Sequence, residues 1–517
     1  MSLPLDLMLV AALILGLLIG YPVSFTLAGL ATLFAFFGWA AGAFDLRLLG
    51  ALAQRAFGLI TNDVLIAIPL FVFMGIVLEK SRIAEDLLQT MGRLFGRMRG
   101  GLGISVVVVG ALLAASTGIV GATVVAMGLI ALPSMLQYRY QPALAAGVVC
   151  TAGTLGQIIP PSTLLIILAD VMSNAYQQVQ QSRGQFSIET LSVGQLFAAA
   201  LMPGLLLVLL YILFLVVRSW LSPQVAPALR GDDVQTVAAA EVAKAVVPPL
   251  VLILAVLGSI LAGVATPSEA ASIGAVGALF LAGARIGKSN RLMIAGALSL
   301  LFLTVVAGVS PVRLQRSDIS GIEWGIGVSC MALVGVGLAA LFQALRLAAD
   351  QKLLKPILTA TMTITAMIFA TILTAGFFAL VFIGLGAEDR IAAIVTNMPG
   401  GATGALIFCM AIVFLLGFVL DFVEITIILL PLVTPILMMM GHDPLWLSIL
   451  FALNLQTSFL TPPFGFSLFY LRGVAPPEVS TGQIYRGVAP FIALNVVGIA
   501  LVWVFPKVAT WLPRLLF

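Results

Sequence analysis

Apolar stretches of 18 or more residues recur from end to end of this 517-residue sequence. Each is long enough to cross a hydrocarbon core of about 30 Å as a helix. The residues are 61% hydrophobic and only 9% charged, and the mean hydropathy of +1.18 lies far outside the range of soluble globular proteins. The chain therefore reads as an all-α polytopic membrane protein whose first partner is the lipid bilayer. A net charge of +4 would point to nucleic acid in a soluble protein. Here basic cytoplasmic loops account for it, and no nucleic-acid partner is expected. The first residues lack a basic n-region, and the apolar run continues past any small-residue cleavage site, so no cleaved signal peptide is expected. Cys150, Cys330 and Cys409 are scattered in apolar segments and read as small core residues rather than disulfides or metal ligands.

Within this apolar background one proline pattern occurs twice. Pro133, Pro142, Pro160 and Pro161 recur 302 residues later as Pro435, Pro444, Pro462 and Pro463. A proline in a helix interior removes a donor and clashes with the carbonyl four residues back, costing about 3 kcal/mol. Two consecutive prolines should open the helix and free several carbonyls. At membrane depth such backbone is tolerated only where it lines a protein-enclosed cavity, and matched broken helices in two halves mark a transporter's midplane site. A simple kink satisfied by neighbouring Ser and Thr is the alternative for one copy. Two copies, each 27 residues after a hairpin proline, favour a site.

Spans are expected near 3–20, 23–43, 63–79, 143–172, 192–217, 245–264, 268–284, 292–309, 325–345, 356–385, 444–471 and 488–512, with helical hairpins near 102–136 and 402–440. An N-terminus outside the cytoplasm puts 17 of the 25 basic residues inside, as the positive-inside rule requires. The hairpins then open from opposite faces, so the repeats are inverted. The chain divides into a first half, 1–220; a cytoplasmic linker, 221–244; scaffold helices 245–355, including a helix pair at 292–345; and a second half, 356–517. Residues 81–99 and 388–398 mix charge with apolar residues at helical spacing and precede Gly-Gly pairs. They read as lateral arms bracing each hairpin or as ordinary amphipathic connectors. Residues 173–190 read as a polar external loop.

Residues that can do chemistry gather at the hairpin tips and the breaks. The first tip offers Ser116, Thr117, Gly118, Gly121 and Thr123, small or hydroxyl residues that admit a ligand closely. The second offers Asp421 and Glu424, carboxylates that are costly at membrane depth and so are candidates for ion or substrate work; capping is the alternative for Asp421 if the tip's second helix starts there. Thr151, Thr154, Gly156, Gln157 and Ser162 surround the first break, and Asn454, Gln456, Thr457, Ser458 and Thr461 the second. Freed carbonyls and hydroxyl oxygens suit a hard monovalent cation such as Na⁺, and half-helix N-termini favour a carboxylate. Asp63 is expected to cap the helix after it, and Asp170 to reach water at the outer end of its span. His442 is the only histidine, in a GHDP turn, so a histidine proton relay is not expected. No metal-ligand cluster, phosphate-binding loop or nucleophile elbow is apparent, so neither an ATP-driven pump nor an enzyme is expected.

The segments GATVVAMGLIALPSML, TAGTLGQIIPPS and LNLQTSFLTPPFG, with TPSEAA at Thr266–Ala271, resemble the signatures of the large membrane subunit of tripartite ATP-independent periplasmic (TRAP) transporters. The likeness covers nearly the whole chain; the apolar pair between about Arg291 and Asp350 departs from it. The resemblance implies a Na⁺-coupled elevator-type importer of organic acids in the bacterial inner membrane. Hairpins and broken helices would move against a scaffold. A separate small four-helix membrane subunit and a periplasmic substrate-binding protein would be its partners. On this reading the substrate meets Ser116, Thr117, Gly118, Thr123, Asp421, Asn454, Gln456 and Thr457. Na⁺ meets Thr117, Gly121, Thr151, Thr154, Gly156, Asp421, Thr426, Asn454 and Thr461. A stand-alone divalent-anion/Na⁺ symporter, a channel and a proton-pumping respiratory subunit are the competing readings, and the near absence of buried Lys and His argues against the last.

Overall fold

Proline and glycine set most of the element boundaries. In the computed structural model, which describes residues 4–117, 120–185, 189–228, 239–287, 290–309 and 321–517 (the side chains of 114–117 and 309 excepted), all regular secondary structure is helical. Helix α1 (Leu5–Leu18) follows Pro4, and α2 (Val23–Ala40) follows Gly20, at φ +90°, and Pro22. A short 3₁₀ turn capped by the Asp45 carboxylate leads into α3 (Ala51–Ile60), a helix outside the spans expected from sequence. Then come α4 (Ala67–Lys80), α5 (Ile83–Phe95), α6 (Gly101–Thr117) and α7 (Val120–Gln137). The first broken helix is α8 (Pro142–Thr154), a 3₁₀ turn at Leu155–Gln157 and α9 (Thr163–Ser182); α10 (Val193–Leu221) completes the first half.

Next follow α11 (Ala239–Leu261), α12 (Pro267–Ile286), α13 (Arg291–Val309) and α14 (Gly321–Asp350). The second half comprises α15 (Leu354–Gly384), α16 (Ala387–Thr396), α17 (Gly401–Leu416), α18 (Phe422–Ile428) and α19 (Leu430–Met439). Its broken helix is α20 (Pro444–Leu460) plus α21 (Phe466–Val474), followed by α22 (Thr481–Val504) and α23 (Lys507–Leu516). Nine of the described helices are long and apolar enough to span a bilayer, and α18 and α19 meet at a 56° bend.

Several boundaries differ from the sequence reading. Residues 173–182 are not loop but the last turns of α9, and the chain after them is held: Gln180 donates to the Glu189 carbonyl (2.9 Å), Glu189 N–H donates back (2.8 Å), and Arg183 donates to the Met438 carbonyl (3.0 Å). The last span does not run over 488–512. It covers Thr481–Val504, and past Pro506 the amphipathic α23 lies against α10. The linker is shorter than 221–244, because α11 starts at Ala239; its N-terminal part is pinned where Gly100 and Gln141 N–H donate to the Ala226 and Val225 carbonyls. Asp63 does not cap α4, whose N-cap is Ile66. Asp170 does not simply reach water, since Asn62 donates to it at 3.0 Å.

Two helices stand where the arms are expected, and each is clasped to a distant helix. On α5, Asp86 accepts from Arg285 Nε (2.5 Å) and Nη2 (3.0 Å) of α12, and Arg285 Nη1 donates to the Ser81 carbonyl (2.6 Å). On α16 the polarity is reversed: Arg390 Nε donates to Asp6 of α1 at 2.6 Å. Each arm leads into a Gly-Gly pair with left-handed φ, at Gly100 (+75°) and at Gly400 (+91°) and Gly401 (+61°). Only glycine takes such angles without strain. The pair α13 and α14 pack on each other and on α12. Small residues let their backbones approach: a Cβ on Gly296 would strike Ala340, and one on Gly283 Ala344. Of the nine spans these are the least buried, and they present Leu298, Phe302, Met331 and Phe342 outward.

Candidate functional site

Pro160 and Pro161 cannot donate to the Gly156 and Gln157 carbonyls, and Pro462 and Pro463 cannot donate to Ser458 and Phe459. Both Pro-Pro bonds are cis. In each break a serine beyond the prolines supplies a missing donor. Ser162 Oγ donates to the Gln157 carbonyl (2.8 Å), and Ser467 Oγ to the Phe459 carbonyl (2.8 Å). The Ser458 carbonyl takes the Thr461 N–H at 3.0 Å. The four prolines thus open the helices as the spacing predicts, and most freed groups are re-satisfied locally, as buried backbone must be.

Around the first break, Thr151, Thr154, Gly156 and Gln157 are all buried. Thr154 Oγ1 donates to the Thr151 carbonyl (2.9 Å), whereas Thr151 Oγ1, both polar atoms of Gln157 and Thr163 Oγ1 are enclosed without a partner among the described residues. The 3₁₀ turn touches α6, α7 and α20. Gly153 admits Val124 of α7, and Gly110 of α6 admits Ala152. Thr123 is buried on α7, and Gly121 at the start of that helix lies under the Tyr470 ring of α21. The predicted Gly118 lies outside the described residues, as do the side chains of Ser116 and Thr117, whose backbone ends α6.

In the second half Asp421 is the N-cap of α18, its Oδ1 accepting the Phe422 N–H at 2.7 Å. Of the two roles left open by sequence, capping is the one its geometry displays. Glu424 is 3% exposed, has an enclosed Oε2 without a partner and makes no ion pair with a described residue. Thr426 Oγ1 is likewise unpartnered. These residues sit on α18, which packs on α9 and α15. An uncompensated buried carboxylate is among the costliest groups a fold can carry, which makes Glu424 the stronger of the two acidic candidates.

The α20 residues diverge. Asn454 spends its amide on the Met410 carbonyl of α17 (2.7 Å), Thr457 Oγ1 donates to Leu453 O and Thr461 Oγ1 to Thr457 O (both 2.8 Å). Gln456 turns away from the tips. Its Nε2 lies 3.5 Å from the Tyr211 hydroxyl of α10, which donates to Asn495 Oδ1 of α22 at 2.6 Å. This buried Gln–Tyr–Asn chain was missed in the sequence, although a lone tyrosine and a lone asparagine inside long apolar spans are themselves a signal. Thr163, whose hydroxyl opens α9, and Tyr470, over Gly121, were missed for a different reason: neither is unusual for its local sequence.

The halves interlock. Helix α7 of the first hairpin packs on α8 and also on α21, while α19 of the second hairpin packs on α9. In the same way α10 lies on α20 and α22 on α8, where a Cβ on Gly147 would collide with the Gly487 carbonyl. Cys150 donates to the Ser467 carbonyl across the join (3.7 Å). Each hairpin therefore lies against the post-break half of the other repeat; the unpartnered oxygens lie at the first break and on α18, which packs on α9. Thr151, Gln157, Thr163, Glu424 and Thr426 supply the hard oxygen donors an alkali cation takes. They fit Na⁺ by chemistry.

Residues 10–508 match the family model for the tripartite ATP-independent periplasmic transporter, DctM component. The chain is 27% identical to the C4-dicarboxylate TRAP transporter large permease protein DctM of Vibrio cholerae, over 98% of this chain and 96% of that protein. It is 24% identical to the ectoine TRAP transporter large permease protein TeaC of Halomonas elongata, over 98% and 99%. Among solved structures, the Alcanivorax borkumensis YdaH transporter superposes with a TM-score of 0.56 over 90% of both chains at 16% identity, a likeness of fold alone. With signature hairpins, breaks and near-complete coverage in agreement, this chain belongs to the TRAP transporter family as a large permease, a transporter subunit and not an enzyme.

Proposed function

We propose that the chain is the membrane permease of a Na⁺-coupled, binding-protein-dependent importer of organic acids in the bacterial inner membrane, working by an elevator motion. The observation that carries this is the set of enclosed, unpartnered oxygens of Thr151, Gln157 and Thr163 at the first Pro-Pro break and of Glu424 and Thr426 on α18, which packs on α9. Each such atom costs about 1–3 kcal/mol while unpaired, a cost relieved by a bound cation or carboxylate. The hairpins, broken helices, α10 and α22 would form the moving body, with the repeats inverted across the membrane. The remaining spans would form the scaffold, and the clasped arms would join the two. The N-terminus would face the periplasm. A small membrane subunit and a periplasmic binding protein would complete the system, and both curated relatives carry names of transporters for carboxylate-bearing solutes.

The energetics are adequate. One Na⁺ entering down about 100 mV gains ~2.3 kcal/mol, and a tenfold gradient adds about 1.4 kcal/mol. Two ions give roughly 7 kcal/mol on the same figures, ample to concentrate a monoanion. The test is uptake in proteoliposomes holding the chain, its small subunit and the cognate binding protein, with and without an inward Na⁺ gradient. Uptake that needs both the gradient and the binding protein is expected. Uptake with Na⁺ alone would make it a stand-alone carrier, and unsaturable flux would make it a channel.

A further inference from the structure

A cavity of about 1020 Å³ lies between α11, α12 and α13, away from the hairpins and breaks. Its lining on α11 runs from Lys244 to Ser259, about 23 Å at 1.5 Å per residue, and continues to Val264 past the end of the helix. The walls are apolar, and the hydroxyls within them are already used: Ser259 Oγ donates to Val256 O (2.8 Å) and Thr304 Oγ1 to Leu300 O (2.9 Å). Nothing approaches within 4 Å of where a Cβ on Gly258 would stand. Polar character is confined to one end, where Lys244, Arg285, Asp86 and Asn290 meet. Arg285 is paired with Asp86, whereas Lys244 makes no ion pair with a described residue. Asp86 and Glu85 both lie near Arg285, so Lys244 is the cation at this end left without an ion-pair partner among the described residues. At the same end Pro248 and Pro249 withdraw the helical donors from the Lys244 and Ala245 carbonyls.

We propose that this groove holds an anionic phospholipid of the phosphatidylglycerol type. Its acyl chains lie along α11 and α13, its phosphate sits at Lys244 and Arg285, and its glycerol hydroxyls face the freed carbonyls. A second protein helix fits less well. It would have to carry its own apolar face past the charged end at Lys244, Asp86 and Arg285, where a headgroup phosphate finds a partner and an apolar helix does not. Basic pockets between spanning helices at the cytoplasmic side are where anionic headgroups bind. Because α13 belongs to the helix pair that departs from the family pattern, the site would be a property of this chain rather than of the shared transport core.

The test places the purified chain in nanodiscs of equal phosphatidylglycerol and phosphatidylcholine, extracts it into mild detergent and measures retained lipid by native mass spectrometry. Wild type should retain phosphatidylglycerol in preference, and Lys244→Glu should lower the phosphatidylglycerol-to-phosphatidylcholine ratio about fivefold or more. Gly258→Trp should lose the retained lipid, while Gly258→Ala, which adds a methyl to open space, should keep it. Should Gly258→Trp fail to fold, Lys244→Glu against Gly258→Ala still decides. Equal ratios in wild type and Lys244→Glu, lipid retained by a folded Gly258→Trp, or a small-subunit helix cross-linking to Gly258→Cys in place of lipid would each overturn the assignment.

Discussion

The two halves carry the same proline pair and the same serine repair, yet they differ in access. From Leu144 to Ala169 every residue around the first break is buried. Around the second, the unbroken run of buried residues ends at Leu460, and Pro463, Phe464, Phe469 and Tyr470 are exposed between buried Gly465, Ser467 and Leu468. The arms differ as well: Asp6, which clasps the second arm, has a side chain 2% exposed, whereas Asp86, which clasps the first, is 46% exposed. Matched local sequence therefore does not give matched environments. The first half is closed over its polar atoms and loosely clasped; the second is open at its break and tightly clasped.

The largest expected contrast is at the clasps. Arg390→Ala leaves Asp6 buried and unpaired, and should lower stability by about 3–5 kcal/mol. Arg285→Ala leaves an exposed carboxylate and should cost at most about 1 kcal/mol. Thermal and denaturant unfolding in detergent measures both, and equal losses would erase the distinction between the arms. Next is Gln157 against Gln456. Gln157→Leu removes two unpartnered buried polar atoms, so the ion-free protein should gain about 1–3 kcal/mol while Na⁺-driven uptake falls by at least tenfold. Gln456→Leu removes one unpartnered oxygen but also strips a contact from Tyr211, so its gain should be smaller. A Gln157→Leu protein that transports normally would remove Gln157 from the site.

Smaller and more even effects are expected at the serines. Ser162→Ala and Ser467→Ala each orphan one buried carbonyl, Gln157 O or Phe459 O, at about 1–3 kcal/mol apiece. A loss at Ser162 with none at Ser467 would mean that water entering the open break takes over the serine's role. The gentlest probe is labelling by a water-soluble thiol reagent, for which buried Cys150 and Cys409 give little background. In a Cys330→Ala chain, Phe464→Cys should react at least about tenfold faster than Ile158→Cys, equivalent to ~1.4 kcal/mol of opening. Equal rates would sink the difference in access.

Much of this architecture could be read from residues that act locally. The hairpin and break boundaries fall within a few residues of the expected ones, and the arm helices stand at 83–95 and 387–396. The misreadings have local causes too. The polar run 173–182 is helical because α9 continues along a packed face that buries Val179 and Gln180. The last span was drawn through Pro506 because the apolar residues continue beyond it. Asp63 looked like a cap because only its position, and not its neighbours in space, was visible. Asp421 does cap, while Glu424, given no assignment to substrate or ion, is the carboxylate with an enclosed oxygen left without a partner. Asn454 and Gln456 had the right chemistry for a site, but tertiary contacts engage their amide nitrogens, and of the two only Gln456 keeps an enclosed oxygen without a partner.

The sequence by itself determined the membrane class, the repeat, the breaks and the family, because span length, proline's missing donor and glycine's left-handed backbone are properties of the chain within a few residues. Only the tertiary structure decided which polar atoms stay orphaned, which break is sealed and which clasp is buried. Those properties depend on distances between residues as far apart as Asp6 and Arg390 or Tyr211 and Asn495, and on the water that packing excludes between them.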